Sequence, residues 1–508
     1  MAHVAPAVSA PGVERSTTSL RVSVGVGAVA AAVEAAVVLP FLGRYGWDRD
    51  ELYFLSAARR PALGYVDFPP VTAWIGWLVR TVFGSSLDAL RLTSLAAMLA
   101  ATILVALMTR ALGGGAGAQL GAALVWATSP YGLAAASIFH PTWFDVLCWV
   151  ALLSTLLVAF LRARPRLWLV AGAVAGAGLE TKYTIAFLLA ALLAALLATD
   201  DRRMLATRWP WLGLAIALLL LAPNLVWEAR HGWPSVHFVS SQNAKTASDT
   251  PPTTYVAQQL FLGAGLVVAG IGVFALWRRP RLRALALVPP LVTLLFLLER
   301  GRAYYPLPTD SIAVAAGAVA IGARLRRATV ARRVALLVPL LALHAAVLVF
   351  ALPTVLPVRS TASMVGSGVW RNSWYKDEIG WPELADETAR AWNALPAPDR
   401  RDGVVLARNY GEASALEFYG PSRGLPHVLG GHLSWQYWRP RSLPQRFALL
   451  VGFAAAEVGR PCVTSRAVAT IDNRWHLDNE ERGRRIVACR LKAPLGALWR
   501  RDVATSSL

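Results

Sequence analysis

The sequence RYGWDRDELYFLSAARRPALGYVDFPPVTAW, residues 44–74, follows the first long apolar segment and decides how the rest of the chain is arranged. This acidic loop contains Asp48, Asp50, Glu51 and Asp67, although the whole chain has 30 acidic residues against 50 Lys and Arg. Tyr, Trp and Phe residues lie between the acids, which is typical of a segment at a membrane surface. We therefore expect a polar loop that emerges from a helical membrane region.

The composition of the 508 residues is that of a membrane protein. It is 56% hydrophobic and 16% charged, with a mean hydropathy of +0.47, which is too apolar for a soluble protein of this length. The net charge of +20 would indicate nucleic acid as a partner of a soluble protein. Here the arginines fall in short clusters between apolar runs, and no zinc-ligand spacing or RNA-binding signature accompanies them. The expected partner is the lipid bilayer, and nucleic acid is excluded.

About eleven membrane spans are predicted from the lengths of the apolar runs. The first, residues 23–43, is too long for a signal-peptide core and lacks a convincing cleavage site, so it is expected to remain in the protein. Residues 1–21 are rich in Ala, Pro, Ser and Thr and are predicted to be disordered. The other predicted spans are residues 88–110, 116–137, 142–161, 167–181, 183–199, 209–228, 255–277, 284–299, 307–323 and 334–352.

Arginine clusters occupy every second connection between these spans. Positive residues mark the cytoplasmic side of a membrane, so the amino terminus is expected inside. The acidic loop, the turns at 181–183 and 300–306, the loop at 229–254 and the segment after 353 are then outside, in a multi-pass protein of the bacterial plasma (inner) membrane. The clusters are Arg110; Arg162, Arg164 and Arg166; Arg202, Arg203 and Arg208; Arg278, Arg279, Arg281 and Arg283; and Arg324, Arg326, Arg327, Arg332 and Arg333.

Three segments have a less usual relation to the membrane. Residues 71–87 are apolar but carry Arg80, and they are too short for a full crossing, so they are predicted to form a helix in the membrane interface. The same is expected of residues 51–58. Glu34 lies inside the first span, and the sequence leaves open whether this carboxylate is functional or only binds a neighbouring hydroxyl.

The composition becomes that of a soluble domain from about residue 354. The fold class is thus a polytopic α-helical membrane protein with a C-terminal extracytoplasmic α/β domain, divided at residues 1–21, 22–353 and 354–508. Cys462 and Cys489 either pair, if this domain faces an oxidising compartment, or remain two buried thiols. The predicted strands are 403–407, 446–453, 466–471 and 485–492, and the predicted helices lie near 383–395 and 412–419.

Side chains that could carry chemistry converge on the predicted outer face. The acids of the acidic loop are joined there by Lys182 and by Arg302, Tyr304 and Tyr305 in a short turn. An acid can act as a base toward a hydroxyl group, while cations stabilise a departing phosphate. This combination suits a reaction on a phosphate-bearing lipid.

Each of these features also has a structural explanation. Asp48 or Asp50 could cap the helix that starts near Glu51, and Asp67 could end an extended segment before two prolines. Lys182 could extend to the interface as an anchor.

Two later features have similar alternatives. His140 and Asp145 are more often a local hydrogen-bonding pair than metal ligands, and the turn at 302–305 could belong to an aromatic belt. The common placement of all these residues is more informative than any one of them.

Several motifs, in this order, resemble bacterial members of glycosyltransferase family 39. This family is part of the membrane-embedded GT-C superfamily, with protein O-mannosyltransferases and lipid A aminoarabinose transferases. The resemblance extends from about residue 44 to 440. The motifs are DELYF at 50–54, GYVDFPP at 64–70, FHPTWFD at 139–145, TKYT at 181–184, APNLVW at 222–227, HGWP at 231–234, RAYYPLP at 302–308, NYGEASALEFYG at 409–420, LP at 425–426 and GGH at 430–432.

The resemblance implies an inverting enzyme that takes a sugar from a polyprenyl phosphate and passes it to an acceptor outside the cytoplasm. The acceptor would be a hydroxyl group of an envelope glycan, lipid or protein. Asp50 matches the expected base, with Glu51 beside it, and Asp67 matches the second acidic position. In the aminoarabinose branch a lysine follows that position, but here it is Phe68.

Because Phe68 stands where that branch has a lysine, other residues must bind the donor phosphate. The remaining motifs supply candidates for binding the acceptor. The phosphate-binding candidates are Lys182, Arg302, Tyr304 and Tyr305. The acceptor- or substrate-binding candidates are His140, Asp145, Asn409, Tyr410, Glu412 and His432. No cofactor is required; some superfamily members bind a divalent cation, for which Asp50, Asp67, His140 and Asp145 are the available ligands, and the metal is left undecided.

A transporter or flippase of lipid-linked sugars is the alternative function. It would use the same cations and Glu34 but would not need a cluster of acids in an external loop. Broken helices and inverted repeats would favour it, and the sequence shows no clear repeat. A structural or assembly subunit is a third option, for which Asp50 would be dispensable.

Overall fold

The computed structural model of the chain describes residues 19–249, 251–372 and 374–504. Helix α1 begins at Leu20, where Ser19 caps it by accepting a hydrogen bond from the Val22 amide. Residues 20 and 21 are therefore helical. The rest of the predicted disordered segment, up to residue 18, lies outside the described residues.

The first two thirds of the chain form a helical region, residues 19–355. Among the described residues, six helical segments are long and apolar enough to cross a membrane: Leu20–Phe41, Leu87–Ala111, Pro141–Arg162, Arg208–His231, Pro280–Leu298 and Val330–Val355. Five shorter apolar helices accompany them, so the total of about eleven spans stays a prediction. The helices are α1 Leu20–Val38, α2 Arg49–Ala58, α3 Val71–Phe83, α4 Leu87–Ala111, α5 Ala116–Ala127, α6 Pro130–Ala136, α7 Pro141–Arg162, α8 Leu167–Leu179, α9 Ile185–Leu197, α10 Arg208–His231, α11 Pro234–Asp249, α12 Pro252–Gln258, α13 Ala264–Trp277, α14 Arg283–Leu298, α15 Leu307–Arg327 and α16 Val330–Val355.

Two predicted spans are each divided into two helices. Residues 116–137 form α5 and α6, and the break lies before Pro130, since Ser129 caps α6 and accepts a hydrogen bond from the Gly132 amide. Residues 255–277 are interrupted at Gly263, whose φ of +56° belongs to a region that other residues rarely adopt. The chain thus turns near the middle of both segments.

The C-terminal region, residues 356–504, contains a five-stranded sheet in the order β2-β1-β3-β5-β4. β1 pairs in parallel with β2 and β3, whereas β5 is antiparallel to both β3 and β4. The four predicted strands are confirmed, and the short β2 was not predicted. The elements are α17 Thr361–Ser367, α18 Trp381–Asn393, α19 Ala397–Arg401, β1 Gly403–Ala407, α20 Tyr410–Tyr419, β2 Val428–Gly430, β3 Phe447–Val451, α21 Ala455–Val458, β4 Cys462–Thr470, β5 Arg485–Leu491 and α22 Leu495–Leu498.

Cys462 and Cys489 form a disulfide that joins neighbouring strands β4 and β5, with 5.6 Å between their Cα atoms. The sequence had left this pairing open. Cys148 is the free cysteine of the chain. The disulfide links the edge strand β4 to β5, its neighbour in the described sheet.

The acidic loop packs against the C-terminal region, and this contact changes the expectation for its first helix. Every residue of α2 from Glu51 to Ala58 is buried. Its apolar side chains share one core with Val405 of β1, Leu416 of α20 and Trp435, so α2 is covered by protein and does not lie in the membrane interface. Helix α3 exposes an apolar face that suits an interfacial helix, with Trp77 44% and Phe83 65% exposed.

Candidate active site

Helix α2 begins at a capping box that positions the adjacent acids of the acidic loop. Asp48 is the N-cap and accepts a hydrogen bond from the Asp50 amide at 2.8 Å, while the Asp48 amide donates to Glu51 Oε2 at 3.0 Å. Of the two acids predicted as caps, it is therefore Asp48 that has this role. Asp50 is left in the first turn with its side chain free to point away from the helix end.

Glu51 points into the helical region, and both of its carboxylate oxygens accept hydrogen bonds there. Arg91 of α4 donates to both carboxylate oxygens at 2.8 Å, and the Phe139 amide donates to Oε1 at 2.9 Å. The side chain of Glu51 is 0% exposed. This geometry gives Glu51 a role in holding the acidic loop, and it does not present Glu51 to a substrate.

Asp50 lies where the helical region meets the C-terminal region. Tyr410, the first residue of α20, donates its hydroxyl to Asp50 Oδ1 at 2.7 Å. His140 lies on the other side, with Nε2 3.7 Å from Oδ2, and the Asp50 side chain remains 36% exposed. Burial by the surrounding protein raises the pKa of Asp50, while the Tyr410 hydrogen bond and Arg49 act in the opposite direction.

Asp67 has a comparable phenol partner. Tyr53 of α2 donates its hydroxyl to Asp67 Oδ1 at 2.7 Å, and the same hydroxyl accepts a hydrogen bond from the Ser434 amide at 3.2 Å. Burial raises the pKa of Asp67 to about 7, the charge of Asp50 adds to this, and the Tyr53 hydrogen bond opposes it. Asp67 is therefore close to Asp50 and able to change protonation near neutral pH.

The start of α7 brings His140, Asp145 and Lys182 together. His140 caps the helix through Nδ1, which accepts from the Thr142 amide at 3.1 Å, so that the proton of a neutral ring is on Nε2. Lys182 donates to Thr142 Oγ1 at 2.7 Å. Asp145 is 3% exposed and accepts hydrogen bonds from Trp149 and Thr184. The local hydrogen bonding expected as an alternative for His140 and Asp145 is thus present.

The charged groups around His140 and Lys182 influence each other's pKa values. Burial lowers the pKa of His140 well below its usual range, and the nearby cations Lys182 and Arg302 lower it further. Burial also lowers the pKa of Lys182, although Tyr304 and the carboxylates of Asp145 and Asp50 favour its charged form. His140 is consequently neutral at physiological pH.

The turn before α15 supplies the remaining cation and two phenols. Arg302 is exposed, and its pKa is raised mainly by Tyr304 and also by Asp50. The ring of Tyr305 lies 4.5 Å from Lys182 Nζ. Both tyrosines line an open recess whose walls include Trp126, Trp143 and Leu262. A largely apolar recess thus opens next to the cations.

The other predicted residues of the C-terminal region have mainly structural contacts. Asn409 caps α20 by accepting from the Glu412 amide at 2.8 Å, and Glu412 Oε2 accepts from the Arg408 and Asn409 amides at 3.1 Å. Both side chains are buried. His432 Nδ1 accepts from the Tyr410 amide at 3.4 Å. These three residues place Tyr410 and do not themselves face the recess.

The candidate site therefore has two parts. We call Asp50, Asp67, Tyr53 and Tyr410 the acidic half, and Lys182, Arg302, Tyr304 and Tyr305 the cationic half. His140 lies between them. Glu51, Asn409, Glu412 and His432 lie behind the acidic half and support it.

Sequence reasoning missed the residues that hold the acidic half in place. Arg91 is buried, and its position within an apolar run was a usable signal, because a charge there needs a partner. Arg49 forms ion pairs with Asp377 and with Glu480 of the C-terminal region. Nothing local in the sequence indicates these contacts, which join positions more than 300 residues apart.

Glu34 and the suggested metal ligands can also be placed. Thr102 donates to Glu34 Oε2 at 2.7 Å, which is the neighbouring hydroxyl that the sequence left as one alternative. Within the described part of the chain, no group of three or more His, Cys, Asp or Glu side chains is arranged to hold a metal ion.

Comparisons with known proteins give one family match and a shared fold. A family model described as dolichyl-phosphate-mannose-protein mannosyltransferase matches residues 67–227, a segment that contains Asp67, His140, Asp145 and Lys182. A comparison with curated proteins finds no match. The matched segment is about a third of the chain, and the match agrees with the resemblance to GT-C glycosyltransferases expected from the motifs.

Two solved structures with a similar fold are of ArnT from Cupriavidus metallidurans. One is bound to undecaprenyl phosphate, and the alignment covers 93% of this chain and 98% of that chain at 16% identity, with a TM-score of 0.54. The other is in the apo state, with 92% and 98% coverage, 16% identity and the same TM-score. At this identity the likeness shows the fold, and it extends over almost the entire chain.

Proposed function

We propose that the protein transfers a sugar from a polyprenyl-phosphate donor to a hydroxyl group outside the cytoplasm, with inversion at the anomeric carbon and Asp50 as the base. The observation that carries this proposal is the position of Asp50, which is held by Tyr410 at 2.7 Å and remains 36% exposed at the boundary with the cationic half. An acid next to a set of cations suits attack by a hydroxyl group on a carbon that bears a phosphate.

The cationic half supports a phosphate-bearing donor. Lys182 and Arg302 would hold the phosphate, and the hydroxyls of Tyr304 and Tyr305 could donate further hydrogen bonds to it. The adjacent recess is mainly apolar and could take the first part of a prenyl chain. ArnT, which shares the fold, has been solved with undecaprenyl phosphate.

The acidic half supports direct displacement. One carboxylate is enough for inversion, because a phosphate leaving group needs no protonation in the way a sugar alcohol does. Asp67, whose pKa is raised to about 7, would orient the acceptor or the sugar. His140 and Asp145 would order the region between donor and acceptor, whereas Glu51 would act only by holding α2.

The location of the site relative to the membrane is also part of the proposal. We infer that residues 354–508 form an extracytoplasmic domain, that residues 22–353 form the membrane domain, and that residues 1–21 remain in the cytoplasm of a bacterium. The disulfide between Cys462 and Cys489 supports this orientation, since disulfides persist in oxidising compartments. The arginine clusters at alternate connections point to the same orientation.

A transfer assay with purified protein tests this function. The donor is an undecaprenyl-phosphate-linked hexose, the acceptors are envelope glycans, lipids and hydroxyl-bearing peptides, and release of undecaprenyl phosphate is measured. Asp50→Asn should lower kcat by about 10²–10⁴-fold, the usual contribution of a general base. Asp478→Asn, at an exposed acid of the C-terminal region, is the matched control and should retain the parent rate.

Two results would contradict the proposal in different ways. Full transfer by Asp50→Asn would remove Asp50 as the base while leaving the enzyme class intact. Movement of the lipid-linked sugar across vesicles with no transfer to any acceptor would instead favour the flippase alternative.

A further inference from the structure

We infer that Tyr410 is a positioning residue that selects one oxygen of Asp50 for catalysis, by holding Oδ1 and leaving Oδ2, on the side of His140, to take the acceptor proton. The inference rests on the proposed role of Asp50 and replaces the expectation that Tyr410 binds the acceptor. It assigns part of the catalytic geometry to the C-terminal region.

The first observation is the position of Tyr410. It is the first residue of α20, directly after the Asn409 cap, and its hydroxyl donates to Asp50 Oδ1 at 2.7 Å. Its amide donates to His432 Nδ1 at 3.4 Å, and its ring lies 4.9 Å from that of Tyr53. The phenol is thus held at its backbone and at its ring, and its hydroxyl is directed at the carboxylate.

The second observation is the difference between the two oxygens of Asp50. Oδ1 is the acceptor of the phenol hydrogen bond, whereas the contact at Oδ2 is His140 Nε2 at 3.7 Å. That distance is too long for a direct hydrogen bond. Burial keeps His140 neutral by lowering its pKa, so it can polarise an incoming hydroxyl but does not hold Oδ2 as an ion pair.

In the proposed reaction, one displacement at the anomeric carbon transfers the sugar. The O–H bond of the acceptor breaks and its proton goes to Asp50 Oδ2, while the acceptor oxygen forms a bond to the anomeric carbon. The bond from that carbon to the phosphate oxygen breaks, and the polyprenyl phosphate leaves with the electron pair. Tyr410 keeps its own proton throughout, because its pKa is raised well above the ordinary phenol value by burial and by Asp50.

The protonation of Asp50 depends on charges from every element around it. Burial raises its pKa, and the Tyr410 hydrogen bond is the strongest influence in the other direction. The facing groups are Asp48 and Arg49 of the α2 start, Asp67 of the acidic loop, His140, Lys182, Arg302 and Tyr304 of the helical region, and Asp377 of the C-terminal region. Tyr410→Phe changes none of these charges and removes only the hydroxyl.

An infrared titration of the full-length protein tests the inference without any acceptor. The protonated-carboxyl band that is absent from Asp50→Asn reports Asp50, and its titration midpoint is compared in the parent and in Tyr410→Phe. A hydrogen bond to a charged group is worth about one to two pH units of pKa, so the midpoint should rise by about one unit in Tyr410→Phe. Tyr419→Phe, at the other end of α20, should leave it unchanged.

The transfer assay supplies the second readout. The acidic limb of kcat in Tyr410→Phe should move upward by about the same amount, with the acceptor KM unchanged. An unmoved midpoint, or a raised KM with an unmoved limb, would overturn the inference and return Tyr410 to acceptor binding. The infrared midpoint does not depend on turnover. It therefore still tests whether Tyr410 controls the protonation of Asp50, even if Asp50→Asn proves active and the proposed base is rejected.

Discussion

The two halves of the candidate site are built in different ways. In the acidic half each carboxylate has its own phenol, since Tyr410 donates to Asp50 and Tyr53 to Asp67, both at 2.7 Å. In the cationic half, Lys182 contacts Thr142 and the ring of Tyr305, and Arg302 is exposed. The acids are therefore held by hydrogen bonds from phenols, whereas the described contacts of Lys182 are one hydroxyl and one aromatic ring.

The largest expected effect is at the support of the acidic half. Glu51→Gln would remove the carboxylate that accepts two hydrogen bonds from buried Arg91 and would leave Arg91 with Glu378 at 3.6 Å as its ion-pair partner. Breaking a buried pair of this kind typically costs about 3–5 kcal/mol. The free energy of unfolding, measured by denaturant titration in detergent, should fall by that amount. Glu387→Gln, at a surface pair with Arg390, should change it by less than about 1 kcal/mol; equal stabilities for the two variants would mean that Arg91 relaxes to solvent.

The cationic half should respond more in activity than in stability. Lys182→Ala should lower kcat/KM for the undecaprenyl-phosphate donor by about 10²–10³-fold, comparable to removing one preorganised charge donor. Its unfolding free energy should change by no more than about 2 kcal/mol, because it loses one hydrogen bond and one cation–π contact. Lys376→Ala, at an exposed lysine, is the control. A stability loss in Lys182→Ala like that of Glu51→Gln would erase the distinction between the halves.

The pH dependence of stability provides a third comparison. Burial raises the pKa of Glu481 to about 7, against about 4.3 in an unfolded chain. Between these values the native state binds more protons than the unfolded state, so stability falls as pH rises from about 4 to about 7. Glu481→Gln should flatten this decline and be more stable than the parent by about 1–3 kcal/mol above pH 7.

The Glu481→Gln experiment has to separate the loss of a buried acid from the loss of its contact with Arg49. Arg49 lies 4.0 Å from Glu481 but retains its ion pairs with Asp377 and Glu480 in the variant. Asp478→Asn, three residues away and exposed, should follow the parent curve. A Glu481→Gln curve as steep as that of the parent would show that other acids carry the dependence.

The smallest effect concerns the Lys182 contact with Tyr305. The ring centroid is 4.5 Å from Nζ, and such a cation–π contact is worth about 0.5–2 kcal/mol. Relative to Tyr305→Phe, which removes only the hydroxyl, Tyr305→Leu should therefore raise the donor KM by about 2- to 30-fold, with Tyr419→Leu as the control. An unchanged KM in Tyr305→Leu would leave Lys182 held by Thr142 alone.

Much of the fold could be predicted because its signals are local. The apolar runs marked the long helices, short apolar runs such as GVVLA and FALLV marked β1 and β3, and Asp48 with Glu51 had the spacing of a capping box. The break at Ser129-Pro130 had a visible signal, since proline cannot donate its backbone N–H, and the predicted span nevertheless ran through it. The three residues of β2 were too few to form a pattern.

The arrangement of the site depended on contacts that no local pattern encodes. Asp50 and Glu51 are neighbours in sequence, yet one faces the candidate site and the other an arginine 40 positions away. α2 and α3 both have the composition of interfacial helices, but only α2 is covered by the C-terminal region. Motif resemblance located Tyr410, and only the fold showed that its hydroxyl meets Asp50 across 360 residues.

The hydrogen bond between α20 and α2 also limits how such proteins can be recombined. A chimera that exchanged the C-terminal segment for one with another acceptor preference would have to bring along Asn409, Tyr410 and Glu412, because these residues present the phenol to Asp50. The same graft would need acids at 377 and 480 to receive Arg49. Under the proposed function, exchange of the C-terminal region without these docking residues should yield a protein that folds but does not transfer sugar.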